Sequence, residues 1–260
     1  MPGLYRINRR TLLADLGRGA LAVAVFGFAA CGGDDEDADD AGDGGTTSTP
    51  SGSGSSEPVE GGDEGEAVTY QRVDLDFVSA YVLVRGREAA VVDTGVAGSA
   101  PRIEEGLIAA GLGWTDVGHV ILTHYHPDHA GSIGDVLTAA TDATAYAGEA
   151  DLARIEAPRP LVAVKDDDDV FGLRMIATPG HTDGHFSVFD PAGGLLVVGD
   201  AMTNDGSLAG STAQFTADMD AANQSIRKLA GLDVETILFG HGEPLEEGAA
   251  DELRTLAESL

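Results

Sequence analysis

Short apolar runs bounded by glycine, proline and charged residues recur from residue 68 onward and set the expected elements. Residues 75–84 and 89–92 read as strands, and the break at Arg85-Gly86-Arg87-Glu88 suits a hairpin turn, so the first sheet starts antiparallel. Ile103, Leu107, Ile108 and Leu112 recur at helical spacing, which predicts a helix over 101–112 closed by Gly113, followed by an apolar strand at 117–122. Segments 133–140 and 149–155 read as helical, and 161–165, 170–178, 185–189 and 195–198 as extended. A helix over 218–229 places Met219, Ala222, Ile226 and Leu229 on one face; 234–239 is a last buried strand and 251–260 a closing helix. The strands outnumber the helices and come in blocks. The expected class is therefore α/β in layers, two sheets with helices packed outside, rather than a doubly wound parallel sheet.

The start of the chain follows a different pattern. Arg6, Arg9, Arg10 and Arg18 precede an apolar run over 20–30, too short for a membrane span of about 20 residues but suited to the apolar part of an export signal. Asn8-Arg9-Arg10-Thr11-Leu12-Leu13 is similar to the twin-arginine export motif, with Leu12 where that motif usually has Phe. Phe28-Ala29-Ala30-Cys31 resembles a lipobox, whose cysteine becomes the lipidated first residue of the mature protein. Residues 1–30 are thus expected to be an export signal, with the protein held at the outer face of the cytoplasmic membrane through a lipidated Cys31. Residues 32–66 carry twelve acids and no base among Gly, Ser, Thr and Pro. Segment 31–66 is accordingly expected to be a self-repelling, solvated tether, leaving 67–260 as the folded domain.

Charge narrows the partners. The 260 residues hold 15 Lys and Arg against 44 Asp and Glu, a net −29, and the part from 67 onward keeps 31 acids and 11 bases, net −20. Such a balance repels nucleic acid, because phosphate binding needs positive faces. The single cysteine, Cys31, can form neither an internal disulfide nor a thiolate cluster, so any metal in the folded part is held by nitrogen and oxygen. The run Asp166-Asp167-Asp168-Asp169 reads as a solvated hairpin turn.

Five of the seven histidines fall at strand ends with metal-ligand spacing. The strand over 117–122 runs into His124-Tyr125-His126-Pro127-Asp128-His129. Alternate side chains of an extended segment share a face, so His124 and His126 converge while Tyr125 points away. Pro127 ends the extended run, and the following turn can return Asp128 and His129 beside them. So many ligands from one loop exceed the needs of a single tetrahedral site and point to two metals. His181, Asp200 and His241 each follow another apolar strand, and Asp200, as a carboxylate, is the expected bridge between cations. His119 and His185 are left as structural, with His185 placed to support the His181 loop. Asp93, after Val91-Val92, is placed to accept a ring N–H from a ligand histidine.

His124-Tyr125-His126-Pro127-Asp128-His129, Thr178-Pro179-Gly180-His181-Thr182-Asp183-Gly184-His185, Gly199-Asp200, Gly240-His241-Gly242 and Val92-Asp93-Thr94-Gly95 resemble the successive signatures of the metallo-β-lactamase superfamily, over about 68–245. The resemblance implies an αββα sandwich with a two-metal site on one edge. It further implies that His124, His126 and His181 hold one cation, that Asp128, His129 and His241 hold the other, and that Asp200 bridges them. The implied cofactors are two divalent ions, Zn2+ first, with iron or manganese as alternatives. True metallo-β-lactamases usually have Cys or Ser in place of Asp200, which sets this chain toward the glyoxalase II and lactonase branch.

The expected reaction is hydrolysis of an ester-like carbonyl bond in a lactone, ester or thioester. Two cations lower the pKa of water from near 16 toward 7 and make hydroxide available at neutral pH, with Asp128 or Asp200 as proton carrier. Glyoxalase II enzymes recognise the anionic glutathione moiety with basic residues, many from an added C-terminal domain, whereas only Arg254 lies beyond His241 here. The expected substrate is therefore a small neutral molecule. The alternatives are an iron-dependent redox member of the same fold, similar to the persulfide dioxygenases, and a non-catalytic metal-binding lipoprotein.

Overall fold

The computed structural model describes residues 65–260. The export signal expected over 1–30, Cys31, and all but the last two residues of the expected tether lie outside the described residues.

Two sheets carry the fold. The first runs in spatial order β1 (Thr69–Asp74), β2 (Ser79–Arg85), β3 (Glu88–Val92), β4 (Val117–Ile121), β5 (Thr144–Gly148) and β6 (Val162–Val164). It is antiparallel through β3 and parallel from β3 to β6. The first two parallel steps are made by α1 (Ala100–Ala109) between β3 and β4, and by α2 (Pro127–Ala130) with α3 (Ile133–Ala139) between β4 and β5. The second sheet is built from β7 (Asp169–Val170), β8 (Leu173–Ala177), β9 (Phe186–Asp190), β10 (Leu195–Val197) and β13 (Thr236–Leu238), with β13 parallel to β10 at one edge. A small hairpin of β11 (Met202–Asn204) and β12 (Leu208–Gly210) follows β10, and α4 (Met219–Leu229) and α5 (Ala249–Ser259) complete the chain.

Period-two alternation sorts the apolar side chains into three buried layers. On β2 and β3, Ala80, Val82, Ala89 and Val91 face outward onto Ile103 and Leu107 of α1 and Val136 and Leu137 of α3. Their neighbours Tyr81, Leu83, Ala90 and Val92 face the other way and meet Leu173, Met175, Val188, Val197 and Leu238 of the second sheet. The reverse of that sheet, with Ile176, Phe189, Leu196 and Ile237, packs on Ile226 and Leu229 of α4 and Leu253 of α5. Covered on both faces, these strands are continuous apolar runs. Each fully buried Leu, Ile or Val contributes about 1.5–3 kcal/mol relative to exposure. The result is the expected αββα sandwich.

The structure corrects several element boundaries. The single strand expected over 75–84 straddles a turn: Leu75 and Val78 are buried but belong to the β1–β2 connection, where the Asp74 carboxylate accepts the Asp76 N–H and Asp76 takes a φ of 76°. The true partner strand, β1, is an edge strand too polar to be seen as an apolar run. The run over 170–178 is likewise two strands, because Phe171 and Gly172 have φ of 64° and 69° and form a two-residue hairpin turn. The first helix ends earlier than expected. Gly111, with a φ of 77°, rather than Gly113, terminates it, and the Leu112 N–H returns to the Leu107 carbonyl. The helix expected over 149–155 is only a single tight turn, Leu152–Arg154.

Candidate metal centre

The segments that leave the strands at one edge of the sandwich carry the predicted side chains together. His124, His126, Asp128 and His129 follow β4, His181 follows β8, Asp200 follows β10, His241 follows β13 and Asp93 follows β3. Three overlapping groups have ligand atoms that all lie within 4.8 Å of one another: His124, His126 and His181; His124, His129 and Asp200; and Asp128, His129 and His241. His126 Nδ1 lies 3.0 Å from His124 Nε2 and 2.9 Å from His181 Nε2. Asp200 sits between the groups, with Oδ1 3.2 Å from His129 Nε2 and Oδ2 3.4 Å from His181 Nε2 and 3.3 Å from His241 Nε2. Asp128 Oδ2 closes the far side, 3.4 Å from His241 Nε2.

Outer partners fix which nitrogen of each ring faces inward. His129 Nδ1 is 2.8 Å from Asp93 Oδ2, and His241 Nδ1 is 2.7 Å from the Phe77 carbonyl, so both rings donate outward. The Thr123 hydroxyl donates to the Asp93 carboxylate, which leaves its oxygen to accept from His124 Nδ1 at 3.0 Å. The Ser211 hydroxyl donates to the Asp200 carbonyl and accepts from His181 Nδ1 at 3.1 Å. Four Nε2 atoms therefore point into the same space as two carboxylates. His129 Nε2 and Asp200 Oδ1 are buried and, despite their proximity, have no hydrogen-bond partner. Converging acceptors with orphaned buried atoms are the donor set a divalent cation requires, and nitrogen and oxygen ligands suit zinc or iron.

The electrostatics carry the same signature. Burial holds the His181 pKa down to about 4 and that of His185 to about 3, and pushes His124 well below the usual imidazole range. Burial also disfavours a charge on His129, but Asp200 and Asp93 outweigh it and raise its pKa well above that range. Hydrogen bonds to Asp128 and Asp200 raise His241 to about 10. Protons on His129 and His241 thus balance the carboxylates wherever no cation does, and a cation binding there displaces them.

His185 does more than sequence indicated. It is fully buried, its Nδ1 meets the Thr178 hydroxyl at 2.8 Å at the foot of the His181 loop, and its Nε2 accepts the Asp200 backbone N–H at 3.1 Å. His119 lies apart from the cluster, between the rings of Tyr146 and Phe171. Thr123, Ser211 and the Phe77 carbonyl escaped the sequence reading. Thr123 adjoins His124, which is a signal of sorts, but nothing in the order of residues marks Ser211 or a main-chain oxygen. Glycine is required at Gly240, where a Cβ would lie 2.6 Å from His129 Cε1 and would also meet Asp200 Oδ1.

Beside the cluster opens a cavity of about 650 Å³. Its wall includes His126, Asp128, Asp200 and His241 on one side and Phe77, Thr203, Asp205, Thr212 and Phe215 on the other, with no Lys or Arg among the described residues. Phe77 and Phe215 remain 61% and 60% exposed at its rim.

A family model described as the metallo-beta-lactamase superfamily matches residues 73–241, and the chain belongs to that superfamily. Among curated relatives it is 34% identical to the probable metallo-hydrolase YflN of Bacillus subtilis, the match covering 48% of this chain and 64% of that protein. It is 32% identical to a hydroxyacylglutathione hydrolase of Rhodospirillum rubrum, covering 54% and 55%. The chain thus spans between about half and two thirds of the length of these relatives. Among solved structures, a metallo-beta-lactamase family protein of Thermus thermophilus, TTHA1429, superposes with a TM-score of 0.60 at 24% identity, covering 74% of this chain and 77% of that one. The metallo-beta-lactamase SMB-1 superposes with a TM-score of 0.58 at 18% identity over 76% and 96%. These two likenesses establish the fold.

Proposed function

We propose that the protein is a binuclear metallo-hydrolase of an uncharged ester-like substrate, a lactone, ester or thioester. The observation that carries this reading is the seven-residue His/Asp cluster opening directly onto a cavity that, among the described residues, is lined by no Lys or Arg. His124, His126 and His181 would hold one cation, Asp128, His129 and His241 the second, and Asp200, whose two oxygens face different histidines, would serve both. When bound, the cations, most simply Zn2+, supply Lewis acidity that brings the pKa of water toward neutrality and polarises a carbonyl. The chain's residues do the rest. Asp93, Thr123, Ser211 and the Phe77 carbonyl hold the ligand rings in one tautomer, and Asp128 on the cavity wall carries a proton toward the leaving group. Phe77 and Phe215 offer apolar surface at the rim.

The named relatives include hydroxyacylglutathione hydrolases, but a glutathione thioester brings carboxylates that need a cationic partner. Basic residues close to the site are engaged elsewhere: Arg72, beside His241, donates to the Gly242 carbonyl and to Glu243 and does not line the cavity. Arg159 donates to the carbonyls of Leu137, Ala140 and Ala143, Arg154 donates to the Tyr125 hydroxyl, and neither these nor Lys165 lines the cavity. A neutral substrate is thus the supported choice. Export and anchoring through a lipidated Cys31 belong to the same proposal and lie outside the described residues. The test is metal analysis of the purified full chain alongside lactone, ester, hydroxyacylglutathione, β-lactam and phosphodiester substrates. Two divalent ions per chain with turnover of a neutral lactone or ester are expected. Preference for the glutathione thioester would overturn the neutral-substrate reading, and iron with oxygen uptake but no hydrolysis would replace hydrolysis by redox chemistry.

A further inference from the structure

Asp151 is a buried carboxylate with no role in the cluster described above. It is 1% exposed and, among the described residues, forms no ion pair, yet three donors satisfy it. Its Oδ2 accepts the Thr182 hydroxyl at 2.7 Å and the Tyr125 backbone N–H at 3.2 Å, and its Oδ1 accepts the Gly184 backbone N–H at 2.9 Å. Tyr125 lies between His124 and His126, while Thr182 and Gly184 flank the turn that begins at His181. One carboxylate therefore joins the two loops that supply the first group of imidazoles. The loops come from different sheets, and their strands are already tied once, by the Phe186 N–H donating to the Thr123 carbonyl at 2.8 Å. Beyond that tie, Asp151 adds three hydrogen bonds that join the two ligand-bearing turns.

The local sequence is fitted to this contact. A Cβ on Gly184 would lie 2.6 Å from the Asp151 carboxylate, and a Cβ on Gly148, three residues before Asp151, would collide with the Gly184 carbonyl. The Asp151 N–H is held by the Gly148 carbonyl at 3.0 Å, so the side chain leaves a closed turn in one direction. A buried anion is tolerated when its oxygens are fully hydrogen-bonded, and it holds its donors in a narrow geometry because each lost bond exposes the charge to a low-dielectric interior.

We propose that Asp151 is a positioning residue for the metal centre, setting the separation of the His124–His126 and His181 turns so that those three imidazoles converge on one cation. The proposal rests on the reading of that cluster as a metal site. Asp151 does not line the substrate cavity, so its effect falls on the cation held by His124, His126 and His181 rather than on substrate contact.

The experiment compares the full chain with its Asp151→Asn, Asp151→Ala and Thr182→Val variants. Zinc affinity is measured by competition with a chelator, and site geometry by the visible absorption of the cobalt(II) form. Asn keeps an acceptor for the Gly184 N–H but sets an amide NH2 against the Tyr125 N–H. Asp151→Asn is therefore expected to weaken the site of His124, His126 and His181 by about tenfold, the lower end of the cost of losing an outer partner, because Asp151 bonds the residues beside the ligands and not the ligands themselves. The cobalt spectrum should shift, kcat should fall with KM little changed, and Thr182→Val should lie between Asn and wild type. Unchanged metal affinity and spectrum in Asp151→Asn would overturn the proposal. Equal weakening of both sites with a matching loss of thermal stability would also overturn it, by making Asp151 a general structural residue. If Asp151→Ala does not fold, the Asn and Val variants decide. A wild-type chain that binds neither zinc nor cobalt overturns the metal-site reading itself, a result distinct from a wild type and variant that bind alike.

Discussion

Replacing Asp93 by Asn changes one atom at the back of the cluster and has a calculable effect. Asp93 is 2% exposed with a φ of 61°, a conformation that Asn tolerates as well as Asp. Its Oδ1 accepts the Thr123 backbone N–H at 2.8 Å and its Oδ2 accepts His129 Nδ1 at 2.8 Å. An amide can replace only one of these acceptors. If its oxygen faced His129, the Thr123 N–H would be buried against an NH2 group, at a cost of about 1–3 kcal/mol. The amide therefore turns its nitrogen to His129 and donates to Nδ1, which moves the ring proton to Nε2, the atom that faces Asp128 and Asp200. The lone pair needed by a cation is lost unless the ring pays for a tautomer change. Loss of such an outer partner weakens metal binding by about 10–100-fold, or about 1.4–2.7 kcal/mol at 1.36 kcal/mol per tenfold. Chelator competition on wild type and Asp93→Asn, with thermal melting of the metal-free forms as a control on folding, measures it directly. A variant that melts like wild type and binds both cations with wild-type affinity would refute the tautomer argument.

Three further outcomes follow from the same geometry. Asp128→Ala and His241→Ala should each lower metal content toward one ion per chain and abolish hydrolysis, read by metal analysis and turnover, since both belong to the group proposed to hold the second cation. Gly240→Ala should impair metal binding without disturbing the sheets, because its methyl reaches His129 and Asp200; metal titration beside circular dichroism separates the two effects. The metal-free protein should be most stable near pH 6.5–7 and lose stability on both sides in urea titrations. His181 and His185 have pKa values lowered to about 4 and about 3, so the unfolded chain takes up protons first and stability falls as pH drops below 6.5, by up to about 1.4 kcal/mol per pH unit for each proton. His241 is raised to about 10, so its contribution is complete below pH 6.5 and lost as pH climbs toward 10. Saturating zinc should remove the alkaline loss.

The ligand cluster was legible because its residues sit where extended runs end, and a strand end fixes position with little dependence on what happens elsewhere. His124, His181, Asp200 and His241 each follow a strand whose apolar character is unmistakable, and all reach one edge because the strands of both sheets stop there. The elements misread were those whose burial does not match their polarity. β1 is polar because it is an edge strand, while Leu75 and Val78 are apolar because a turn folds over the core, so an apolar run was drawn through the turn and the strand was lost. The hairpin of β11 and β12 escaped for want of an apolar run. Asp151 and Ser211 were invisible for another reason. Their roles are set by contacts to residues about thirty positions away, and only the packed sheets create those contacts.

The wide separation of the ligands has an energetic consequence. His124 and His241 come from different sheets and meet only after the layer between the sheets, with Tyr81, Leu83, Met175 and Val197, has packed. The cluster cannot organise the fold; the fold must bring together two carboxylates and five imidazoles before any cation is present. Left uncompensated, the buried Asp200 carboxylate would oppose this assembly by several kcal/mol. Protons on His129 and His241 provide the compensation, and they sit where the second cation would bind. The site thus exchanges protons for metal within an already folded sandwich, in contrast to small zinc domains in which binding and folding are one event. Stripping the metal with a chelator at pH 7 should therefore leave secondary structure and a cooperative unfolding transition intact, and re-adding zinc should release protons into a weakly buffered solution. A metal-free chain that loses its cooperative transition would show that the cations, not the layers, hold the sandwich together.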